Sequence, residues 1–207
     1  MSNISDKDTI LEHILSNASF DGWSNETFEK SAKDANLDTI YAYTQFPKGI
    51  SDAANYYIEK CDREMLAKIA KIKLKDIRIR DRISTAILTR LEIYEPHKES
   101  VRRLVSYFAM PQNVAAALAH LGQTCNQIWY AAGDNSTDFN YYTKRLTLSG
   151  VYSSTLLFWL NDESEDYTKT KDFLDRRIAN VMKIQKAKTK GKEILGKITS
   201  PLAQKFE

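Results

Sequence analysis

The sequence predicts an all-α protein, and three observations support that fold class. Apolar residues recur at intervals of three and four along most of the chain, which is the spacing of one face of an α-helix. The 207 residues include only seven Gly and four Pro, too few for the many turns of a β-sandwich or barrel. Residues 72–80 alternate with a period of two, but an isolated strand is not stable, so we assign most of this stretch to the start of a helix.

Three short helices are predicted at the amino-terminal end, in a part that we assign to residues 1–48. The first covers residues 9–18 and stops near Asp21 and Gly22. Ser24 is the predicted N-cap of the second helix, since its side-chain oxygen can accept a free backbone N–H. A turn at residues 36–38 precedes the third helix, and the segment 46–49 ends it.

Longer helices follow and form a predicted bundle over residues 49–188. Helical spacing runs through residues 50–69 and 81–94. Pro96 and Pro111 each suit the first position of a helix, where the missing N–H removes no hydrogen bond. The predicted helices from there on are residues 96–110, 111–132, 138–160 and 167–190.

The predicted helix 138–160 is apolar around most of its circumference after Leu146. Such a helix either lies at the centre of a bundle or lines an apolar cavity. The sequence leaves both alternatives open.

The last segment, residues 189–207, has a different composition. Six lysines and one glutamate lie between Lys183 and Lys197. The apolar residues beyond Gly191 fall on one side of a helix: Ile194, Leu195, Ile198, Leu202 and Phe206. This basic amphipathic tail is predicted either to lie on a membrane surface or to dock on protein, in its own domain or a second subunit.

The residue inventory argues against an enzyme, a metal site and a bound cofactor. The three histidines lie on three different segments, and neither an HExxH motif nor a glycine-rich phosphate loop occurs. The two cysteines, Cys61 and Cys125, are far apart and are expected to be reduced. The first eight residues lack a hydrophobic run and arginine, so we expect neither a secretory signal nor a transit peptide there.

The three opening helices resemble the start of a TetR-type helix-turn-helix repressor. In that family the third helix enters the major groove, but here residues 39–46 contain no Lys or Arg. Phosphate contacts from basic side chains supply most nonspecific DNA affinity. We therefore predict a degenerate helix-turn-helix that binds no specific DNA sequence.

A more distinctive resemblance rests on residues 129–145, which read WYAAGDNSTDFNYYTKR. Residues 110–113 (MPQN) and 172–178 (DFLDRRI) add to it in the expected order. Together they resemble the TetR-like accessory lipid-binding protein family of ubiquinone (coenzyme Q) biosynthesis. The resemblance covers roughly residues 9–190.

The resemblance implies a non-enzymatic homodimer that binds an isoprenoid lipid or ubiquinone precursor and presents it to a di-iron demethoxyubiquinone hydroxylase. The expected lipid-binding residues lie in the bundle: Phe108, Leu118, Trp129, Leu148, Tyr152, Leu156 and Trp159. The expected hydroxylase-binding residues are Ile128, Asp138, Tyr141 and Tyr142, and the tail residues given above are expected to bind the membrane.

The expected location is the cytoplasmic face of the inner membrane in a bacterium, or the matrix side of that membrane for a processed eukaryotic form. The alternative function, a TetR-type regulator that senses a hydrophobic ligand, stays open at this point. It differs from the accessory protein in requiring a DNA-reading surface.

Overall fold

The computed structural model describes residues 5–72, 77–134 and 139–181, apart from the side chains of residues 139–141. This part of the chain contains helices and no strand, so the all-α prediction is confirmed. The α-helices are α1 (Asp6–Asp21), α2 (Asn25–Asp34), α3 (Thr39–Gln45), α4 (Ile50–Ile69), α5 (Ile79–Tyr94), α6 (Lys98–Phe108), α7 (Val114–Ala131) and α8 (Phe139–Leu160). Short 3-10 turns occur at Glu95–His97, Pro111–Asn113 and Glu165–Tyr167, and residues 168–181 are helical.

Side-chain caps fix the starts of the three opening helices. Ser24 accepts a hydrogen bond from the backbone N–H of Thr27 (3.2 Å), which confirms it as the N-cap of α2. Ser5 caps α1 in the same way. Asp38 caps α3 through its contact with the N–H of Ile40 (2.8 Å). Each cap satisfies a donor that the helix itself leaves free.

The opening helices share one hydrophobic core with the bundle. Trp23, which precedes α2, is 5% exposed, and its indole N–H donates to the carbonyl of Ser100 in α6 (2.9 Å). Its ring stacks against Tyr57 of α4, with centroids 6.1 Å apart. The buried residues of α1 to α8 therefore form a continuous cluster.

The bundle is built from α4, α5, α7 and α8, and α6 packs against α1, α7 and α8. Several helix starts differ from the sequence-based boundaries. Pro111 opens a 3-10 turn, so α7 begins only at Val114. Pro96 likewise falls in a 3-10 turn, and α6 begins at Lys98. Helix α5 begins at Ile79, so among the described residues of the alternating stretch only 79–80 are helical, and residues 72, 77 and 78 are not. The assignment of most of this stretch to a helix start is therefore wrong for the described residues; residues 73–76 lie outside them.

Helix α8 has one buried face and one exposed face. The buried face includes Leu148, Tyr152 and Trp159. The other face exposes Leu146 (77%) and Leu157 (52%). The helix is therefore not enclosed on all sides, whereas residues of its inner half line apolar cavities. None of the described helices is sufficiently long and apolar to span a bilayer.

Candidate functional site

An apolar cavity of about 280 Å³ lies between α6, α7 and α8, and we call it the α6–α8 cavity. Phe108, Leu121 and Leu156 contribute apolar walls and are themselves only partly buried, so this end of the cavity opens to the surface. Tyr152, 5% exposed, forms part of the wall further inside. The dimensions and lining suit an organic ligand with a large apolar part.

A buried polar cluster closes the inner end of this cavity. Arg90 of α5 is fully buried and lines the cavity. Its Nη2 donates to the carbonyl of Ile58 (3.2 Å) and to the hydroxyl of Tyr94 (2.9 Å). The same nitrogen lies 3.3 Å from a carboxylate oxygen of Asp62, which is 4% exposed. Thr124 donates to the other oxygen of Asp62 (3.0 Å).

Burial controls the protonation of this cluster. It raises the pKa of Asp62 even though Arg90 and Thr124 favour the charged carboxylate. It also raises the pKa of Tyr94 far above its usual value, so that hydroxyl keeps its proton. Burial lowers the pKa of His120 at the cavity wall, and the ring nitrogen Nε2 of His120 is 2.7 Å from Oδ1 of Asn55.

Arg90 and Asp62 were not predicted as site residues, although the sequence contains a signal for them. Arg90 follows Ala86 and Ile87 at helical spacing, on the buried face of α5. Asp62 follows Ile58 by four residues on the buried face of α4. A charged residue within an apolar face is rarely buried without a partner. Two such residues on consecutive helices indicate a buried pair.

A second apolar cavity, of about 190 Å³, lies against the other half of α8, and we call it the α8 side cavity. Its walls include Trp129, Leu148 and Val151, with Thr147 and Lys144 also contributing. Among the residues that the structure describes, the buried indole nitrogen of Trp129 has no hydrogen-bond partner. Val151 and Tyr152 are neighbours in sequence but line different cavities.

The predicted lipid-binding residues do not all line one cavity, and their role in lipid binding stays a prediction. Phe108, Tyr152 and Leu156 line the α6–α8 cavity, whereas Trp129 and Leu148 line the α8 side cavity.

The other two predicted lipid residues lie elsewhere. Trp159 lies at a wider cleft of about 600 Å³ whose lining includes Glu95, Lys98 and Asp162. Leu118 is 63% exposed on the outer face of α7 and lies outside these three spaces. Helical spacing predicts which face of a helix is apolar. It does not predict which neighbouring helix covers each position on that face.

The prediction that Ile128 forms part of a docking surface is wrong. Ile128 has no exposed surface, because it shares the inward face of α7 with Thr124 and Cys125. Tyr142 is 72% exposed, and its place in a docking surface stays a prediction. Asp138, the side chain of Tyr141 and the tail residues Ile194, Leu195, Ile198, Leu202 and Phe206 lie outside the described residues.

The exposed part of α3 carries little that would attract DNA. Ile40 is 78% exposed and Tyr41 donates its hydroxyl proton to Asp6 (2.5 Å). On the preceding helix, Lys30 is paired with Asp21 at 2.7 Å. Among the residues that the structure describes, no group of His, Cys, Asp and Glu is arranged to hold a metal ion.

The fold places this protein in a structural class: it is all-α and has the architecture of a TetR-type regulator. A TetR transcriptional regulator from Nitrosomonas europaea superposes with a TM-score of 0.69, at 19% identity, over 84% of this chain and 95% of that one. The likeness at this identity concerns the fold.

The sequence comparisons show which family this chain is similar to. Residues 114–185 match the COQ9 family model, so the resemblance stated above is confirmed. The chain is 32% identical over 168 residues to the ubiquinone biosynthesis protein COQ9, mitochondrial, of Rattus norvegicus, covering 78% of this chain and 54% of that protein.

A probable ubiquinone biosynthesis protein coq9, mitochondrial, of Dictyostelium discoideum is 26% identical over 204 residues, covering 96% of this chain and 66% of that protein. The human ubiquinone biosynthesis protein COQ9, mitochondrial, is 28% identical over 184 residues, covering 83% of this chain and 58% of that protein. This chain spans a little over half to about two thirds of the length of these relatives.

Proposed function

We propose that this protein is a non-enzymatic accessory factor of ubiquinone biosynthesis that holds an isoprenoid quinone precursor and presents it to a di-iron hydroxylase at a membrane. The observation that carries the proposal is the α6–α8 cavity, which is apolar, open at one end and closed by polar groups at the other. The names of the COQ9 relatives supply the pathway.

The size of the cavity limits how much of such a lipid it can hold. An apolar cavity of about 150 Å³ holds a benzene molecule. About 280 Å³ therefore accommodates a substituted ring and roughly one isoprene unit, but not a long prenyl tail. The tail must leave through the opening between Phe108 and Leu156.

An apolar stripe lies on the surface next to the cavity walls. Met110, Val114 and Leu118 are 44%, 41% and 63% exposed and follow one another at intervals of four residues. Ala117 and Leu121, on the adjoining face of α7, line the cavity. A lipid whose ring is in the cavity can lay its tail along this stripe or leave it in the bilayer, which keeps the tail out of water.

The test compares two neighbouring leucines of α8. Leu156→Trp places a large ring in the cavity, whereas the matched control Leu157→Trp adds the same ring on the exposed face. Binding of a ubiquinone analogue with a decyl tail is measured by equilibrium dialysis, and co-purified lipids are identified by mass spectrometry. Leu156→Trp is expected to weaken binding by about tenfold or more (about 1.4 kcal/mol). Equal binding by both variants would contradict the proposal.

A regulator that senses the same ligand is the second candidate, because the fold matches a TetR transcriptional regulator. The uncharged α3 predicts only nonspecific DNA binding, with a Kd no tighter than about 10⁻⁶ M at physiological salt. Selection from fragmented genomic DNA tests this directly. Recovery of a palindromic site bound at nanomolar strength would favour the regulator.

A further inference from the structure

The guanidinium of Arg90 has hydrogen-bonding capacity that the described part of the chain leaves unfilled. Its Nη2 donates to Ile58 and Tyr94 and lies beside Asp62. Its Nε and Nη1 are buried and have no hydrogen-bond partner among the described residues, although the hydroxyl of Tyr152 is close enough to interact with Arg90. An unpartnered buried donor costs about 1–3 kcal/mol, and more when the group is charged. Such a group in a native structure calls for an explanation.

The position of these donors points to a ligand. Arg90 lies at the closed end of the α6–α8 cavity, and its guanidinium carbon lies 4.7 Å from the ring centroid of Tyr94. The walls toward the opening are apolar and include Val105, Leu121 and Leu156. A ligand that enters with an oxygen first and an apolar body behind it complements both ends.

The charges around Arg90 select the kind of oxygen. The guanidinium is positively charged at any physiological pH, and the carboxylate of Asp62 lies against it at 3.3 Å. The ionised pair has no net charge, so a second carboxylate at this depth would be a buried anion without a counter-charge. A neutral acceptor gains the hydrogen bonds without that cost.

We propose that Arg90 recognises the head group of the bound lipid, with its free N–H groups donating to a neutral carbonyl oxygen of a quinone-type ring. This inference rests on the proposed function, because it places the ring of the same ligand in the same cavity. The orientation follows: the ring lies at the inner end beside Tyr94 and Tyr152, and the tail points to the opening.

The first test uses the unmodified protein and three probes with similar tails: decylubiquinone, decylbenzene and decanoate. Equilibrium dialysis should show decylubiquinone bound about tenfold or more tightly than decylbenzene (about 1.4 kcal/mol), and decanoate bound no better than decylbenzene. The infrared carbonyl stretch of carbon-13-labelled decylubiquinone should move to lower frequency on binding, relative to its value in hydrocarbon solvent. Tighter binding of decanoate, or an unshifted carbonyl, overturns the inference.

The second test is Arg90→Lys, which keeps a positive charge beside Asp62 but removes the planar set of N–H donors. Arg103→Lys, at a half-exposed position of α6, is the matched control. Arg90→Lys is expected to bind decylubiquinone and decylbenzene equally, while Arg103→Lys keeps the preference. A preference that survives in Arg90→Lys overturns the inference. If Arg90→Lys does not fold, the infrared shift in the unmodified protein decides.

These outcomes separate the inference from the proposed function. If decylubiquinone and decylbenzene bind equally and Leu156→Trp blocks both, the cavity binds lipids but Arg90 recognises nothing. If neither probe binds the unmodified protein, the proposed function fails and the inference fails with it.

Discussion

Removing the carboxylate of Asp62 should destabilise the protein strongly, because Arg90 would be left as a buried charge. Asp62 and Arg90 are 4% and 0% exposed, and the atoms that pair them are 3.3 Å apart. Loss of one partner of a buried ion pair costs about 3–5 kcal/mol. Asp62→Ala also leaves the hydroxyl of Thr124 without its acceptor at 3.0 Å, which costs roughly 1 kcal/mol more. We expect the free energy of unfolding to fall by about 5 kcal/mol in total.

The free energy of unfolding is measured by urea titration of the parent, Asp62→Ala, Arg90→Met and the double variant. For a chain of this size, a loss of about 5 kcal/mol lowers the Tm by roughly 10–20 °C. The double variant should be more stable than Asp62→Ala, because it removes the uncompensated charge. Glu99→Ala, which breaks exposed contacts with Arg102 (3.0 Å) and Arg103 (3.4 Å), should cost less than about 1 kcal/mol.

Two results would refute this reasoning. If Asp62→Ala costs no more than Glu99→Ala, the carboxylate does not compensate Arg90. If the double variant is less stable than Asp62→Ala, the two residues act independently. Burial raises the pKa of Asp62 despite the attraction of Arg90. Taking both charges out of water is expensive, so the loss of one half of the pair costs more than the intact pair contributes.

Three further predictions concern the remaining regions. The carboxylate of Asp162 is buried, which alone would raise its pKa, but hydrogen bonds from Ser164 and Thr170 hold that pKa well below its usual range. The stability that Asp162 contributes is therefore present above a pH of about 4 and is lost as pH falls toward the folded pKa. In urea titrations, Asp162→Asn should reduce the loss of unfolding free energy that the parent shows as pH falls. An unchanged pH profile would contradict this prediction. Ile128→Ala should lower the free energy of unfolding by about 2–5 kcal/mol. Tyr142→Ala should leave the Tm unchanged but reduce co-purification with the hydroxylase. A large drop in Tm for Tyr142→Ala would place that ring in the core. Leu195→Glu combined with Leu202→Glu should abolish flotation with anionic vesicles, and undiminished flotation would show that the tail docks on protein.

Local signals in the sequence predicted the helices well. The N-cap at Ser24 and the helix ends near Gly22 and residues 46–49 depend only on neighbouring residues. The helix limits agreed within a few residues for the same reason, except where a proline began a 3-10 turn before the α-helix. The division into three parts at residues 48 and 188 stays a prediction.

The candidate site was predicted less well, because it depends on contacts between distant helices. The spacing of Ile128 places it on an apolar face, but the burial of that face depends on its packing against the other bundle helices. The two cavities on α8 arise in the same way: Val151 and Tyr152 differ by one helical step of about 100°, and different helices lie opposite each of them. A pattern within one helix contains no information about those neighbours.

The positions of the two cavities along α8 lead to a prediction about substrate transfer. Tyr142 and Leu156 are fourteen residues apart, so about 21 Å of helix separates the exposed tyrosine from the α6–α8 cavity. Leu148, which lines the α8 side cavity, is only six residues, or about 9 Å, from Tyr142. If the hydroxylase docks at Tyr142, the side cavity lies between the stored ring and the enzyme.

Thr147→Trp tests this placement, because Thr147 lines the side cavity and a larger ring there should obstruct it. The matched control is Leu146→Trp, since Leu146 is 77% exposed and its replacement leaves the cavity open. Thr147→Trp is expected to bind decylubiquinone like the parent, because the α6–α8 cavity is untouched, yet to slow hydroxylation of a bound precursor by about tenfold or more. Normal hydroxylation by Thr147→Trp would show that the ring reaches the enzyme by another route. Loss of decylubiquinone binding in the same variant would show instead that the side cavity is the storage site.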